Sequence, residues 1–332
     1  MNNIDFLAIG DIASEPFIKI KKDEAEATCD VDGQHCKLCL NYGGKVPYES
    51  AEVCHAVGNS ANVSICASRL GLNSSLMSYI GNDDTGRANL VKLHEENINT
   101  EYVSIVDGLD SNYHYVLWYG REHTILVKHT EFPYAFPKEL AKPKWIYFSS
   151  LASNSISYHE EINEYIKKNP DINLAFQPGT FQIKLGVQAL KDIYLNTNVF
   201  LCNKEEAQKI LKITETDVPK LLKLIHSLGP KIVVVTDGVD GAYSYDGKEY
   251  LYMKSFADEL FVESTGAGDS FSGAFVVALS LGKTISEGLI WGAANAKSVV
   301  ANVGPHKGLL TRNQMEEFIK NVSENDRPIV LI

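Results

Sequence analysis

Short apolar runs alternate with longer segments of helical spacing from about residue 145 to the end of the chain. The apolar runs are predicted to be buried strands: they are WIYF (145–148), NLAF (173–176), VFLC (199–202) and KIVVVT (231–236). Later segments of helical spacing are predicted to be three helices, near 268–281, 286–302 and 311–321. This alternation predicts parallel βαβ units with helices on both faces of one sheet.

The first 140 residues follow a different pattern. FLAIG (6–10) begins like a core strand, but residues 17–55 are polar and rich in Gly and Cys. Residues 112–131 are predicted to form two strands joined near Gly120, because apolar and polar positions alternate on both sides of it. We expect an α/β body (1–16, 56–111 and 132–332) that carries a small β lid (17–55 and 112–131).

Composition narrows the class of protein. The chain has 332 residues, 45% of them hydrophobic, and 31 basic against 42 acidic residues give a net charge of −11. This balance argues against a nucleic-acid partner, which needs basic groups to neutralise phosphates. No apolar run approaches the ~18 residues of a membrane span, and the N-terminal sequence has no secretory leader. The sequence therefore predicts a cytoplasmic protein without a membrane partner.

A glycine-rich turn at ESTGAGDSFSG (263–273) carries the sharpest local signal. Gly266 and Gly268 allow close approach of a ligand to the backbone, and apolar residues at helical spacing follow. The free N–H groups at a helix start suit an anion, and Asp269 stands beside them. The turn therefore indicates either an anion site with a general base or a helix cap formed by an Asp.

STGAGDSFSGAF resembles the C-terminal signature of the ribokinase-like, phosphofructokinase-B type carbohydrate kinases. Five other segments resemble that family in the same order along the chain: AIGDI (8–12), AVGNSANVSICASRLGL with YIGNDDTGR (56–87), GREHTILV (120–127), Asn203–Glu206 and VVTDGVDGAY (234–243). The resemblance implies a three-layer α/β/α sandwich with a small β-sheet lid. It also implies an ATP- and Mg²⁺-dependent kinase that acts on a hydroxyl.

The resemblance assigns roles on the ATP side. Asp269 is implied to be the catalytic base, and the N–H groups of Gly266, Ala267 and Gly268 the anion hole. Asn203 and Glu206 would organise Mg²⁺ and phosphate through water. The remaining implied nucleotide contacts are Thr236, Gly238, Gly241 and Asn295. A solvated Glu in a first helical turn and an ordinary Gly turn are the alternatives for these motifs.

On the sugar side, the matching positions are Glu15, Gly58, Asn59 and Asn62. On this side the chain departs from the family pattern at three positions. Glu15 replaces an Asp, Val57 replaces a Gly and narrows the pocket, and Asn59 replaces a Lys that a sugar phosphate would use. Glu263 stands where the family usually has Asp. In the potassium-activated members that this position resembles, the acidic residue helps to form a monovalent-cation site, so we expect a K⁺ site near Glu263.

Cysteines cluster before residue 55. Cys29, Cys36, Cys39 and Cys54 include one Cys-x2-Cys spacing, and four thiols could hold a structural Zn²⁺ in the lid. The alternative is that they are unrelated small residues of a hairpin.

We expect a kinase for a free ribose- or fructose-like sugar. A nucleoside kinase of the same fold is an alternative, because the aromatic stretch 113–119 could stack a base. A non-catalytic sugar- or nucleotide-binding sensor is another, although a sensor does not need Asp269. The family resemblance also implies a homodimer through the lid.

Overall fold

The computed structural model describes residues 4–30, 36–120, 122–256 and 261–331. Its strands in chain order are β1 (Phe6–Ile9), β2 (Ala13–Ile20), β3 (Ala25–Cys29), β4 (Cys36–Leu40), β5 (Tyr48–Val57), β6 (Ser74–Gly81), β7 (Asn99–Val106), β8 (Asn112–Tyr113), β9 (Tyr115–Tyr119), β10 (Glu122–Leu126), β11 (Trp145–Phe148), β12 (Asn173–Phe176), β13 (Val199–Asn203), β14 (Ile232–Thr236), β15 (Ala242–Tyr245), β16 (Tyr250–Met253) and β17 (Ile329–Leu331). Its α-helices are α1 (Asn59–Arg69), α2 (Asp84–Glu95), α3 (Ile156–Lys168), α4 (Thr180–Leu185), α5 (Lys191–Asn196), α6 (Lys204–Leu211), α7 (Val218–His226), α8 (Ala267–Ser280), α9 (Ile285–Val300) and α10 (Arg312–Lys320).

Ten strands form the main sheet, in the order β17-β16-β15-β14-β13-β12-β11-β1-β6-β7. The strands from β14 to β7 are parallel, and β15, β16 and β17 add an antiparallel edge. The four predicted apolar runs are β11 to β14, and the three predicted C-terminal helices are α8 to α10. The α/β prediction is confirmed.

Alternate residues of each central strand enter different layers of the core. Phe6 and Ala8 pack with helices α1, α8 and α9, whereas Leu7 and Ile9 pack with α3, α6 and α7. Because both faces of the strand are buried, the strand sequences are continuously apolar. Helices therefore cover both faces of the sheet in three layers.

A second, smaller sheet has the strand order β10-β9-β2-β5, with β8 paired to β2. Strand β2 begins at Ala13 and β5 runs on to Val57, so this sheet extends a few residues beyond the predicted lid segments. The hairpin of β9 and β10 forms where the alternating pattern predicted it. Strands β3 and β4 pair only with each other, as a ribbon separate from this sheet.

The zinc prediction is wrong for this arrangement of the cysteines. Cys29 and Cys36 are joined by a disulfide across the ribbon, so neither offers a thiolate. Cys39 lies three residues beyond Cys36 on β4, and successive side chains on a strand alternate between its faces, so it points to the opposite face. Cys54 lies on β5, in a different sheet from Cys39, and its thiol is partly buried beside Gly304. Among the described residues there is no group of three or more ligands that could hold a metal ion.

None of the helices in the described ranges has the length and apolar character that a membrane span requires.

A partly buried ion pair joins the end of α1 to the C-cap of α2, and the same arginine binds a turn at residues 306–309. Arg69 donates from Nε and Nη2 to both carboxylate oxygens of Glu96, at 2.8 and 2.7 Å. Its Nη1 donates to the carbonyl oxygens of His306 (2.6 Å) and Leu309 (3.1 Å). Burial alone would raise the pKa of Glu96, but hydrogen bonds from Arg69 and Lys92 outweigh it and lower the pKa to about 2.

We expect Glu96→Gln to destabilise the protein at neutral pH. The pKa of Glu96 is lower in the folded chain, so its stabilisation is present above about pH 4.5 and is lost as the pH falls toward 2. The shift corresponds to at most about 3–4 kcal/mol. Urea unfolding at pH 7 and below pH 4.5 measures this, and the difference from wild type should shrink at the lower pH. Glu95→Gln is the control, because the Glu95 side chain is 62% exposed and lies 3.7 Å from Lys92. A pH-independent effect of Glu96→Gln would contradict the assignment.

Candidate active site

A cavity of about 420 Å³ lies where the carboxyl ends of the main-sheet strands meet the small sheet. Its lining includes the end of β1 with Asp11, the start of α1 with Asn59 and Asn62, Glu15 of β2, and the turn into α8 with Asp269. Ligands of open α/β sheets bind at this edge because the loops there diverge. Local sequence motifs that lie far apart in the chain are therefore brought together around one cavity.

Asp269 lies in the first turn of α8 and accepts hydrogen bonds from three side-chain amides. Asn59 Nδ2 donates to Oδ1 at 2.7 Å, Asn62 Nδ2 donates to Oδ2 at 2.7 Å, and Gln177 Nε2 donates to Oδ1 at 3.3 Å. Burial raises the pKa of Asp269 above its usual value, and Glu15 adds to the rise, while the three amides oppose it. The carboxylate is thus oriented by neutral donors and has no cationic partner among the described residues, which suits a group that must accept a proton.

The turn before Asp269 is held by glycine geometry. Gly266 has a φ of +77°, and a Cβ there would lie 2.4 Å from Cβ of Pro305. Gly268 has open space around it. Of the three N–H groups predicted to form the anion hole, that of Ala267 donates to Ser264 O at 3.1 Å, whereas those of Gly266 and Gly268 have no acceptor among the described residues. The helix start therefore offers two free donors beside the carboxylate.

Asn203 and Glu206 form a reciprocal cap at the start of α6. Asn203 Oδ1 accepts from the N–H of Glu206 at 2.8 Å, and Glu206 Oε2 accepts from the N–H of Asn203 at 2.9 Å. The other carboxylate oxygen, Oε1, has no partner among the described residues. Burial raises the pKa of Glu206, and the negative charge of Asp269 adds to the rise. Glu206 thus caps α6 through Oε2, is partly buried rather than solvated, and has Oε1 left for a ligand.

The other predicted nucleotide contacts lie in two different environments. Thr236 ends β14, and Gly238 and Gly241 follow it with φ values of +54° and +96°. A Cβ on Gly241 would lie 2.2 Å from Met253 O, so the turn requires glycine there. Asn295 is fully buried: its Nδ2 donates to Ser270 O at 2.9 Å and its Oδ1 accepts from Leu310 N. Asn295 therefore binds the chain's own backbone at both ends of its amide.

Two acidic residues hold the site loops in different ways. Both oxygens of buried Glu263 accept backbone N–H groups, from Thr265 at 2.6 Å and from Gly304 at 2.8 Å. Glu15 reaches the cavity from the small sheet, and its Oε1 lies 3.0 Å from Nδ1 of His114.

Gly58, the N-cap of α1, has a φ of +114°, and a Cβ there would lie 2.8 Å from Asp11 O. This position at the edge of the cavity therefore requires glycine.

Residues 25–312 match the sequence profile described as "pfkB family carbohydrate kinase". The chain belongs to this family. It is therefore a sugar kinase, which transfers a phosphate to a hydroxyl.

The relatives of this pfkB-family kinase are named for different substrates. The present chain is 29% identical over 259 residues to an ATP-dependent 6-phosphofructokinase of Thermoanaerobacterium thermosaccharolyticum, covering 74% of this chain and 79% of the relative. It is 29% identical over 267 residues to a ribokinase of Bacillus subtilis, covering 79% and 87%. Its fold is similar to that of an Arabidopsis thaliana ribokinase solved with ribose and ATP, with a TM-score of 0.77, 18% identity, and 96% and 99% of the two chains covered.

Sequence analysis of this sugar kinase missed several residues that the fold brings to the site. Gln177 stands in FQPGT (176–180), directly after β12. Asp11 lines the cavity, and both its oxygens accept from Tyr134 OH at 2.8 Å. Histidines from the small sheet side also line the cavity: they are His114, His123 and His129. Only the alternation of inward and outward residues over 112–116 could have predicted this for one of them, because it turns His114 inward together with Asn112 and Val116.

Proposed function

We propose that this kinase transfers the γ-phosphate of ATP to a hydroxyl of a free ribose- or fructose-like sugar. The observation that carries the proposal is the position of Asp269, between a helix start with free N–H groups and a polar cavity. Asp269 would accept the proton of the attacking hydroxyl. The N–H groups of Gly266 and Gly268 would stabilise the charge on the transferred phosphoryl group.

The nucleotide side follows from the residues around α6 and β14. Thr236, Gly238 and Gly241 would contact ATP, and the free Oε1 of Glu206 fits a water-mediated contact with Mg²⁺. Bound Mg²⁺ would neutralise phosphate charge during transfer. We assign Asn295 a structural role, because both ends of its amide bind the backbone. Each oxygen of Glu263 accepts one backbone N–H and keeps a second lone pair, so a K⁺ site beside Glu263 stays a prediction.

A free sugar is favoured over a sugar phosphate by the charges that line the cavity. Three carboxylates face it, those of Asp11, Glu15 and Asp269, and its described lining contains no Lys or Arg. Carboxylates accept hydrogen bonds from hydroxyls but repel a second phosphate. Glu15, Asn59 and Asn62 would contact the sugar hydroxyls, with Gly58 allowing close approach of the backbone.

The nucleoside alternative receives less support from the aromatic stretch. Tyr113 and Tyr115 pack against each other at 5.2 Å, and Trp118 donates to Gly120 O. None of these three side chains lines the cavity, so none is placed to stack a base there.

We also propose a homodimer through the small sheet. Several large apolar side chains on its strands are exposed: they are Tyr48, Val53, Tyr115 and Leu126. Burying them against a second copy would remove apolar surface from water.

A panel of acceptors with Mg-ATP tests the proposal. ADP formation is measured with ribose, fructose, fructose 6-phosphate and adenosine, and with no acceptor. We expect kcat/KM for a free sugar to exceed that for the sugar phosphate by at least about tenfold, which corresponds to 1.4 kcal/mol. A preference for fructose 6-phosphate or adenosine would overturn the substrate class. Absence of acceptor-dependent ADP formation with the whole panel would overturn the proposed ribose- or fructose-like acceptor.

A further inference from the structure

Two of the three amides that donate to Asp269 have a buried donor behind them. Asn62 Oδ1 lies 2.8 Å from Nε2 of His306, on the side away from Asp269. Gln177 Oε1 accepts a hydrogen bond from the hydroxyl of Tyr147. His306 is 6% exposed and Tyr147 is fully buried, so both contacts are shielded from bulk solvent.

The carboxylate determines which way the Asn62 amide faces. An ionised Asp269 only accepts hydrogen bonds, so the NH₂ group of Asn62 must face it. The carbonyl oxygen of Asn62 then faces His306 and needs a donor. A neutral imidazole has one N–H, which must be on Nε2 for this contact. A flipped Asn62 would aim its carbonyl at the carboxylate and its NH₂ at the His306 ring.

His306 is kept neutral and fixed in place. The pKa of His306 is lowered to about 3, mainly by burial and also by Lys92 and Arg69, with Glu96 opposing them. Arg69, on the same helix as Asn62, donates to the His306 carbonyl oxygen at 2.6 Å. Helix α1 therefore carries the amide and also fixes the backbone of the residue behind it.

We propose that His306 and Tyr147 are positioning residues that lock the Asn62 and Gln177 amides with their NH₂ groups toward Asp269. The proposal builds on the proposed role of Asp269 as the base. Without the donor behind it, an amide can rotate, and the carboxylate loses a hydrogen bond that favours its ionised form. Glu15 and Glu206, the other acidic groups that act on Asp269, stay unchanged in every variant below.

Four variants separate this role from simple packing. His306→Phe removes the donor, His306→Gln retains an N–H donor, and Tyr147→Phe removes only a hydroxyl. His159→Phe is the matched control. His159 is a second buried histidine, in α3 on the opposite face of the sheet, and burial lowers its pKa to about 4.

For His306→Phe we expect the acid limb of the pH profile of kcat/KM to move to higher pH. A lost hydrogen bond of about 1 kcal/mol lowers the rate at acid pH roughly fivefold to tenfold. Tyr147→Phe should shift the limb less, since the Gln177 contact with Asp269 is the longer one at 3.3 Å.

Two readouts do not require turnover. Nitrogen NMR of the wild-type His306 ring should show the Nε2–H tautomer between pH 5 and 9. The Asp269 carboxyl carbon should titrate at higher pH in His306→Phe than in wild type, His306→Gln or His159→Phe. If no acceptor is phosphorylated, the proposed function fails while these spectra still decide the positioning roles. An Nδ1–H tautomer, or an equal shift in His306→Gln and His306→Phe, would overturn the proposal for His306. An unshifted Asp269 titration in Tyr147→Phe would overturn it for Tyr147.

Discussion

Asp269→Asn is expected to lower kcat by about 10²- to 10⁴-fold, the contribution that a general base makes to proton transfer. The change keeps the side-chain size and leaves the free N–H groups of Gly266 and Gly268 in place. It replaces one oxygen of the carboxylate that accepts three amide donors by an NH₂ group, so the side chain can no longer accept a proton. Initial rates with the best acceptor of the panel and saturating Mg-ATP measure the effect.

Binding must be measured beside the rate. In Asp269→Asn the introduced NH₂ group meets amides that also donate, so one of them has to rotate, and we expect the free energy of unfolding to change modestly. Calorimetric titration should show ATP affinity within about threefold of wild type, because the nucleotide contacts proposed at Thr236, Gly238 and Gly241 remain. Near-normal turnover by Asp269→Asn would exclude Asp269 as the base, whereas loss of ATP binding would make it a structural residue.

Local signals in the sequence were sufficient for the architecture. The four apolar runs became β11 to β14 because a strand buried on both faces must be apolar at every position. The glycine turn was readable because Gly266 adopts a left-handed conformation that few other residues tolerate. Both signals are contained within about ten residues, so no knowledge of the tertiary structure was needed.

The long-range contacts that complete the site could not be predicted from local sequence patterns. Gln177 reaches Asp269 from the end of β12, 92 residues away, and His306 reaches Asn62 across 244 residues. An amide or imidazole in isolation gives no sign of whether it binds a ligand, a carboxylate or the backbone. Asn295 illustrates the converse, since a residue implied by family resemblance to contact nucleotide instead binds Ser270 and Leu310.

The cysteines failed as metal ligands for a reason of strand geometry. Their spacing in sequence was compatible with a zinc site. Pairing of β3 with β4 places Cys29 opposite Cys36, where a disulfide forms, and leaves Cys39 opposite Glu26. The register between two strands depends on the pairing along their whole length, so it cannot be predicted from the spacing of the cysteines alone.

Gly266→Ala is expected to destabilise the protein by about 2–5 kcal/mol, from left-handed strain and overpacking together. Its φ is +77°, and the added Cβ would lie 2.4 Å from Cβ of Pro305. Relief requires a shift of Pro305 or of the turn that holds Asp269, and a misplacement of that kind can cost about a hundredfold in rate. Urea unfolding and kcat/KM for the best acceptor are the measurements.

Gly282→Ala is the matched control for Gly266→Ala, because Gly282 follows the other end of α8 with a φ of +78° and nothing within 4 Å of the added Cβ. It carries the left-handed strain alone, about 1–2 kcal/mol, and should leave kcat/KM unchanged. The difference between the two variants therefore measures the contact with Pro305. Equal losses of stability would show that this contact relaxes freely. Retained activity in Gly266→Ala would mean that the turn tolerates a side chain, and a rigid anion site at 266–268 would then be excluded.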